Sequence, residues 1–405
     1  MSAFELYHKQ GIRQYRVTDI SRKKDHKIVI RGIRRTDSLH CPVCGSKNVS
    51  TKGWKERVFI GVPSGNLKTE IHLMIPRVHC HHCGCCRQVH LEFAEENVRY
   101  TRFFAQYAKK LLVHCTCKAV AEILRVSWDT IKEIDKKDLQ KHFADPPLKK
   151  VKNIAIDEIA VKKGHKYMTV IVDLDTMTPL YVGEGRGKEA VKGFYEKVRK
   201  SKCKIKSVAI DMSPAFTQAV KEYFPKAVLV YDHFHIIRQM NEAITSCRRT
   251  IYKEAIDSEA KNAIKKTRFI LLKHKENLDP SKNEPQRLEK ALRLNDRLSK
   301  MYYLKEDLYQ LWSQTDKSSA RKFAEDWLKY ARALKIEALT YFCLTLETHL
   351  ENILTWYEVP ISTGPLEGLN NKIKTMKRQA YGFRDGEYFR LKILGIKRCR
   401  YALVG

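Results

Sequence analysis

Two short segments, Ile154-Ala155-Ile156-Asp157 and Val208-Ala209-Ile210-Asp211, repeat one pattern: a β-prone apolar run that stops at an aspartate. Short apolar runs bounded by polar residues read as buried strands. Alternate side chains of a strand share a face, so Ala155 goes with Asp157 and Ala209 with Asp211, while Ile154, Ile156, Val208 and Ile210 take the other side. If the strands are neighbours, both aspartates leave the sheet on one face, and the small alanines beside them leave room for an ion or a substrate. Glu158 falls on the opposite face from Asp157. A lone strand-end aspartate is often only a cap. A matched pair argues for a shared hard cation.

The flanking pattern supplies a fold for these strands. Strand signals at 153–161, 167–173 and 179–184 are joined by the turn signals Lys163-Gly164-His165 and Asp175-Thr176-Met177. A helix over 187–200 then leads to a strand at 207–211, and a helix over 214–223 to a strand at 227–231. Three hairpin-linked strands followed by helix-connected strands give the order of an RNase H-like α/β core, with the first and fourth strands side by side. From Tyr231 to Ser362 the chain reads as helical. Leu288, Leu292, Leu298, Tyr302, Leu308 and Trp312 form one stripe that predicts a helix over 287–313, with further helices over 317–334 and 338–357. This is an all-α insertion in the core.

A third acid, Glu367, opens the helix that follows. Ser362 or Thr363 serves as its cap and Pro365 fits its first turn. Leu366, Leu369, Ile373 and Met376 make the core stripe, and Glu367 borders it with Asn371, Lys374 and Arg378 on successive turns. One edge thus carries a carboxylate, an amide and cations, which suits a phosphate backbone passing a metal site. Asp232, at the end of the last strand, is the rival for a metal role, or else it orients His233 or His235.

Charge names the partner class. Lys and Arg number 77 against 46 Asp and Glu, a formal charge of +31. Spread along the whole chain, that excess points to nucleic acid rather than an anionic membrane. No apolar run has membrane-spanning length, and MSAFELYHKQGIRQYRV lacks the regions of a secretory signal, so a cytoplasmic location is expected. Twelve cysteines in a reducing compartment are expected to bind metal rather than pair. Cys41-Pro-Val-Cys44-Gly and Cys80-His-His-Cys83-Gly are two knuckles suited to tetrahedral zinc, with the strand-like runs 58–62 and 67–78 between them. His40, His79, His82, Cys85, Cys86 and His90 crowd the same place, so one member of the set could be exchanged. A closed four-ligand site is structural.

Residues 103–114 predict an amphipathic helix and 118–124 a second, with Val120, Ile123 and Leu124 facing inward. Ser127 caps a third helix, 128–139, in which Ile131 and Ile134 pack back while Asp129, Thr130, Lys132 and Glu133 stay exposed. Short helix, tight turn and capped helix are the parts of a DNA-reading helix-turn-helix, with Trp128, Thr130 and Lys132 as DNA contacts. Cys115 and Cys117 read as core thiols. Asp145-Pro146-Pro147 marks a linker.

With CPVCG, CHHCG, IAIDEIAV, VAIDMSPAF, VYDHFHIIRQMNEAI and GPLEGLNNKIKTMKRQAYGFR in place, the chain resembles the DDE insertion-sequence transposases of the ISL3 family over nearly its whole length. The resemblance implies that Asp157, Asp211 and Glu367 are the catalytic triad. It also implies an RNase H-like core with an inserted helical domain, and amino-terminal modules that recognise the element's terminal inverted repeats. Three such carboxylates would hold two Mg²⁺ (or Mn²⁺) ions for DNA cleavage and strand transfer. Asn371, Lys374, Lys377 and Arg378 are expected on the DNA backbone, with target DNA as a second partner and a homodimer or larger assembly to join two ends. The expected divisions are a zinc-binding β module at 1–98, the helix-turn-helix at 99–147, the first part of the core at 148–236, the all-α insertion at 237–360, and the last core helix with its basic tail at 361–405. The competing expectations are a DNA-binding regulator with an inert core, and a nuclease of the same fold that cuts without joining.

Overall fold

The computed structural model describes residues 3–162, 166–256 and 258–400. The turn expected at Lys163-Gly164-His165 lies outside the described residues. The chain forms two compact units, Met1–Ala144 with Thr375–Gly405, and Asp145–Lys374. The tail that the sequence joins to the core is therefore divided, with residues 375–405 belonging to the first unit.

The first unit begins with helix α1 (Ala3–Gln10) and a five-stranded sheet of β1 (Tyr15–Lys23), β2 (Lys27–Arg34), β3 (Val49–Ser64), β4 (Leu67–Cys80) and β5 (Cys86–Gln88). Strand order is β1-β2-β4-β3, with β5 on β4; β2 and β4 run parallel and the other pairs are antiparallel. The long β3–β4 hairpin closes at Ser64 and Leu67, and its far ends carry the two cysteine knuckles. Alternation along β4 sends Ile71, Leu73 and Ile75 into the core.

Helices α2 (Arg102–Leu112), α3 (Cys117–Leu124) and α4 (Trp128–Phe143) follow. Each starts on a hydroxyl cap, Thr101, Thr116 and Ser127, whose oxygen accepts from the amide three residues on. Arg125 turns the chain through the left-handed region at φ 52°. Val120, Ala121 and Leu124 bury α3, whereas Ile123, expected inward, is 55% exposed. An eight-residue helix buries one stripe, and Ile123 lies about 100° from Leu124 around the axis. Helix α14 (Gly386–Leu394) packs on α4 in the same unit. Gly395 keeps this approach close: a Cβ there would meet Leu139 Cδ2 at 2.6 Å, and that side chain would have to shift.

The second unit holds the sheet β10-β9-β6-β7-β8, built from β6 (Asn153–Lys162), β7 (Lys166–Asp173), β8 (Thr178–Glu184), β9 (Ser207–Ile210) and β10 (Val228–Tyr231). The three hairpin-linked strands are antiparallel, while β6, β9 and β10 run parallel through the helices α5 (Lys188–Ser201) and α6 (Pro214–Tyr223). Helix α5 lies close on β8 because Gly183 has no side chain; a Cβ there would sit 2.1 Å from the Ala190 carbonyl oxygen. Helices α7 (His233–Glu254), α8 (Ser258–Lys266), α9 (Glu284–Arg293), α10 (Asp296–Leu308), α11 (Lys317–Ala333) and α12 (Glu337–Leu354) come next, before α13 (Gly364–Gln379). The single helix expected over 287–313 is broken: Asn295 is extended, its side chain accepts from the Leu298 amide, and α10 starts anew. Leu288 and Leu292 before the break and Leu298 and Tyr302 after it each keep i, i+4 spacing, so local periodicity does not mark the break.

Candidate active site and zinc site

In the parallel pair β6–β9, Ala155 faces Ala209, with Ile154 against Val208 and Asn153 against Ser207. Two residues further along each chain stand Asp157 and Asp211, both half-buried, as the shared Ala-x-Asp pattern requires. Asp157 Oδ1 accepts from the Glu158 amide at 2.7 Å, and Asp211 Oδ1 from the Ser213 amide at 3.0 Å. Burial pushes the Asp157 carboxyl above the usual carboxylate range, and the Asp211 charge adds to the rise, against the Glu158 amide, Asn370 and His235. Glu158 is raised as well, first by burial and then by both aspartates, with Arg186 opposing. Two desolvated carboxylates that repel each other are a donor set for a hard divalent cation.

Glu367 lies exposed in the first turn of α13. Two hydrogen bonds hold its helix to the strand ends. Four residues before it, the buried Thr363 hydroxyl donates to Asp232 Oδ2. Three residues after it, Asn370 Nδ2 donates to Asp157 Oδ2 at 2.6 Å. Asp232 Oδ2 thus helps to hold α13, and His233 Nδ1 lies 3.5 Å from its other oxygen. The three acids are not drawn into one closed cluster: among the described residues, only the four knuckle cysteines bring three or more ligand atoms within 4.8 Å of one another. Asn370 was not singled out by sequence. Its signal is its place four residues after Leu366 and three before Ile373, on the buried face, whereas Asn371 points to solvent. Lys374 is exposed on α13, while Lys377 and Arg378 sit on the last turn, in the part belonging to the first unit, where Arg378 donates to Thr375 Oγ1 at 3.3 Å.

At the knuckles, Cys41 and Cys80 are buried, Cys44 and Cys83 exposed. Sulfur separations of 3.6 Å for Cys41–Cys83 and Cys44–Cys80 match the edge of about 3.8 Å that a tetrahedron with Zn–S of about 2.3 Å requires. Gly45 and Gly84, at φ 75° and 69°, turn each loop back over its first cysteine. The Cys44 and Val43 amides hold the Cys41 thiol down to about 5, so it is ready to bind as thiolate. Cys85, at 3.3 Å from Cys41, is a fifth sulfur beside the set.

On α4, Trp128 is 45% exposed, and the Thr130 hydroxyl lies 2.8 Å from that of Ser127. Lys132, expected as a DNA contact, pairs with Asp385 at 3.0 Å and reaches over the rings of Trp128 and Tyr388. Further along α4 the buried Asp135 accepts from Tyr388 Oη at 2.6 Å and Lys392 Nζ at 3.1 Å. Asp138 pairs with Lys109 at 2.8 Å and with Arg398. Cys117, expected in the core, has its sulfur 2.9 Å from Tyr388 Oη.

A transposase family profile of the DDE type, family ISL3, matches residues 154–393. The chain belongs to the ISL3 family of transposases. The family's helix-turn-helix domain matches residues 89–138, and the zinc-finger of the transposases of IS204, IS1001, IS1096 and IS1165 matches 37–90, which agrees with a structural zinc at the four cysteines. The ISL3 chain is 33% identical to the transposase for insertion sequence element IS1001 of Bordetella parapertussis, over 87% of each chain. It is 25% identical to the transposase for IS1557 of Mycobacterium tuberculosis, over 85% of this chain and 82% of that one. A solved Drosophila P element transposase strand transfer complex aligns with a TM-score of 0.41 at 9% identity, covering 76% of this chain and 94% of that one. No helix among the described residues of this transposase is long and apolar enough to cross a membrane.

Proposed function

We propose that this transposase binds the terminal inverted repeats of its insertion sequence and carries out Mg²⁺-dependent cleavage and strand transfer with Asp157, Asp211 and Glu367. The observation that carries this reading is the Asn370–Asp157 hydrogen bond, which anchors the helix of Glu367 at the strand ends bearing the two aspartates. The strand order, with β6 flanked by β9 and β7, supports an RNase H-like core, and the helices between β10 and α13 support an all-α insertion within it.

Asp157, Asp211 and Glu367 would hold two Mg²⁺ (or Mn²⁺) ions, which when bound supply Lewis acidity to the attacking and leaving oxygens of an in-line displacement. The attacking group is water in cleavage and a DNA 3′-hydroxyl in strand transfer. Asn370 fixes the rotation of the Asp157 carboxylate, and Thr363 with Asp232 sets where α13 begins. Asn371 and Lys374, exposed on the same helix, face the DNA backbone; Lys377 and Arg378 extend the basic stretch. Recognition of the ends falls to the start of α4, where Trp128 and Thr130 reach the bases, while Lys132 stiffens that turn through Asp385. Two ends must meet, so the working form is a dimer or larger, acting on DNA in the cytoplasm.

The test is incubation of the purified protein with Mg²⁺, a duplex carrying the repeat that borders the gene, and a target plasmid. Joined products are expected. Nicks without joining would make the protein a nuclease, and binding without nicks a regulator.

A further inference from the structure

A cleft of about 780 Å³ opens in the zinc-ribbon sheet, between β3, β4 and β5 on one side and residues 89–97 on the other. Its sheet side is strongly basic. Lys52, Lys55 and Arg87 line it, all exposed, and none of their side chains has an ion-pair or hydrogen-bond partner among the described residues. Arg57 and Arg77 line it too, fixed by bonds to the Val98 carbonyl at 3.4 Å and the Cys86 carbonyl at 3.2 Å, with further N–H groups left over. Fixed guanidinium groups beside free ammonium groups suit a chain of phosphates.

Two further features select the ligand. The register of β3 shifts between Thr51 and Trp54, where Gly53 takes φ 132°, and this bulge lies on the edge strand that carries Lys52 and Trp54 into the cleft. Trp54 is 37% exposed there and offers an indole N–H and an apolar face for a sugar ring. Glu95 and Glu96 form the opposite lip, so an anion is confined to the sheet side.

We infer that this cleft is a second DNA site, which grips the sugar-phosphate backbone of duplex DNA and reads no bases. It rests on the reading that this transposase binds its element's ends, and it gives the zinc ribbon a contact surface separate from the start of α4. Phosphate contacts of this kind set register and orientation, while base contacts elsewhere specify sequence.

The experiment measures binding of the full-length, zinc-loaded protein to a labelled duplex bearing the bordering terminal repeat, and to a scrambled duplex of equal length, across a salt series. The variant Lys52→Ala/Lys55→Ala/Arg87→Ala is expected to weaken binding to both duplexes by the same factor, roughly tenfold or more. It should also lower the slope of log K against log salt by about 2.7, at about 0.9 per phosphate lost. Zinc content, measured on the same sample, should stay at the wild-type value. If the triple variant loses zinc, the single change Lys55→Gln takes its place, with an expected slope change of about 0.9. An unchanged affinity and slope in a zinc-loaded variant overturns the inference, and so does weakening confined to the repeat duplex, since that would be base readout. Wild-type protein that binds neither duplex overturns the end-binding reading along with it.

Discussion

Asn370 donates to Asp157 Oδ2 at 2.6 Å, so one amide joins the helix of Glu367 to the strand of Asp157. Asn370 is 8% exposed, and a hydrogen bond to a charged group in such a place contributes about 1.5–3 kcal/mol. Its Oδ1 is buried without a hydrogen-bond partner among the described residues, which leaves an acceptor beside the Asp157 carboxylate. Partners that orient a metal ligand typically carry about 10–100-fold in metal affinity or activity. Asn370→Ala is therefore expected to cut strand transfer by about that factor, to raise the Mg²⁺ concentration giving half-maximal rate, and to leave end binding at the wild-type value in a gel-shift assay. An unaltered Mg²⁺ dependence would remove Asn370 from the site.

Asp157→Asn separates catalysis from stability. The folded pKa of Asp157 is raised, so its ionised form opposes folding: its unfavourable effect is absent below the unfolded pKa and grows as pH rises through the raised folded value. Without Mg²⁺ at neutral pH, the Asn variant should melt at or above the wild-type temperature while joining no DNA. The gap between the two proteins should close as pH is lowered past the usual carboxylate range. Thermal melts at several pH values, read beside a strand-transfer assay, provide the check.

Removal of zinc acts on the first unit. Cys41→Ser, or a strong chelator, is expected to release the metal and expose the β3–β4 hairpin ends to protease near residues 41–44 and 80–83, with loss of end binding. Cys85→Ser should retain one zinc per chain, because Cys85 lies outside the four-sulfur set. Metal analysis and limited proteolysis distinguish the two.

Asp135→Ala takes the carboxylate from Tyr388 and from Lys392, which is 3% exposed. Breaking a buried ion pair by removing one partner costs about 3–5 kcal/mol. Chemical denaturation should show a loss of that size, with Asp135→Asn milder because it keeps an acceptor for the tyrosine.

Legibility from sequence followed the range of the interactions. The aspartate pair was readable because strand alternation is strictly local, and β6 and β9 pair in the register that alternation allows. The cysteine knuckles were readable because two turns carry their own ligands. Asn370 was harder, since neighbouring asparagines differ only by one step around the helix and the anchor of the stripe decides which one turns inward. The start of α10 was hidden because Asn295 interrupts the backbone between two apolar runs that each keep helical spacing. The partnership of the last residues with α4 left no local trace at all: Asp135 and Lys392 are 257 positions apart, and nothing near either one names the other.

That partnership makes two distant stretches one folding unit. Helix α4 buries Asp135 and most of Asp138, and their counter-charges Lys392 and Arg398 lie 257 and 260 positions further along the chain. A fragment cut between α4 and α14 keeps Lys109 opposite Asp138 but loses Lys392 and Arg398, so the helix-turn-helix excised on its own is expected to be less stable than the same helices within the longer chain.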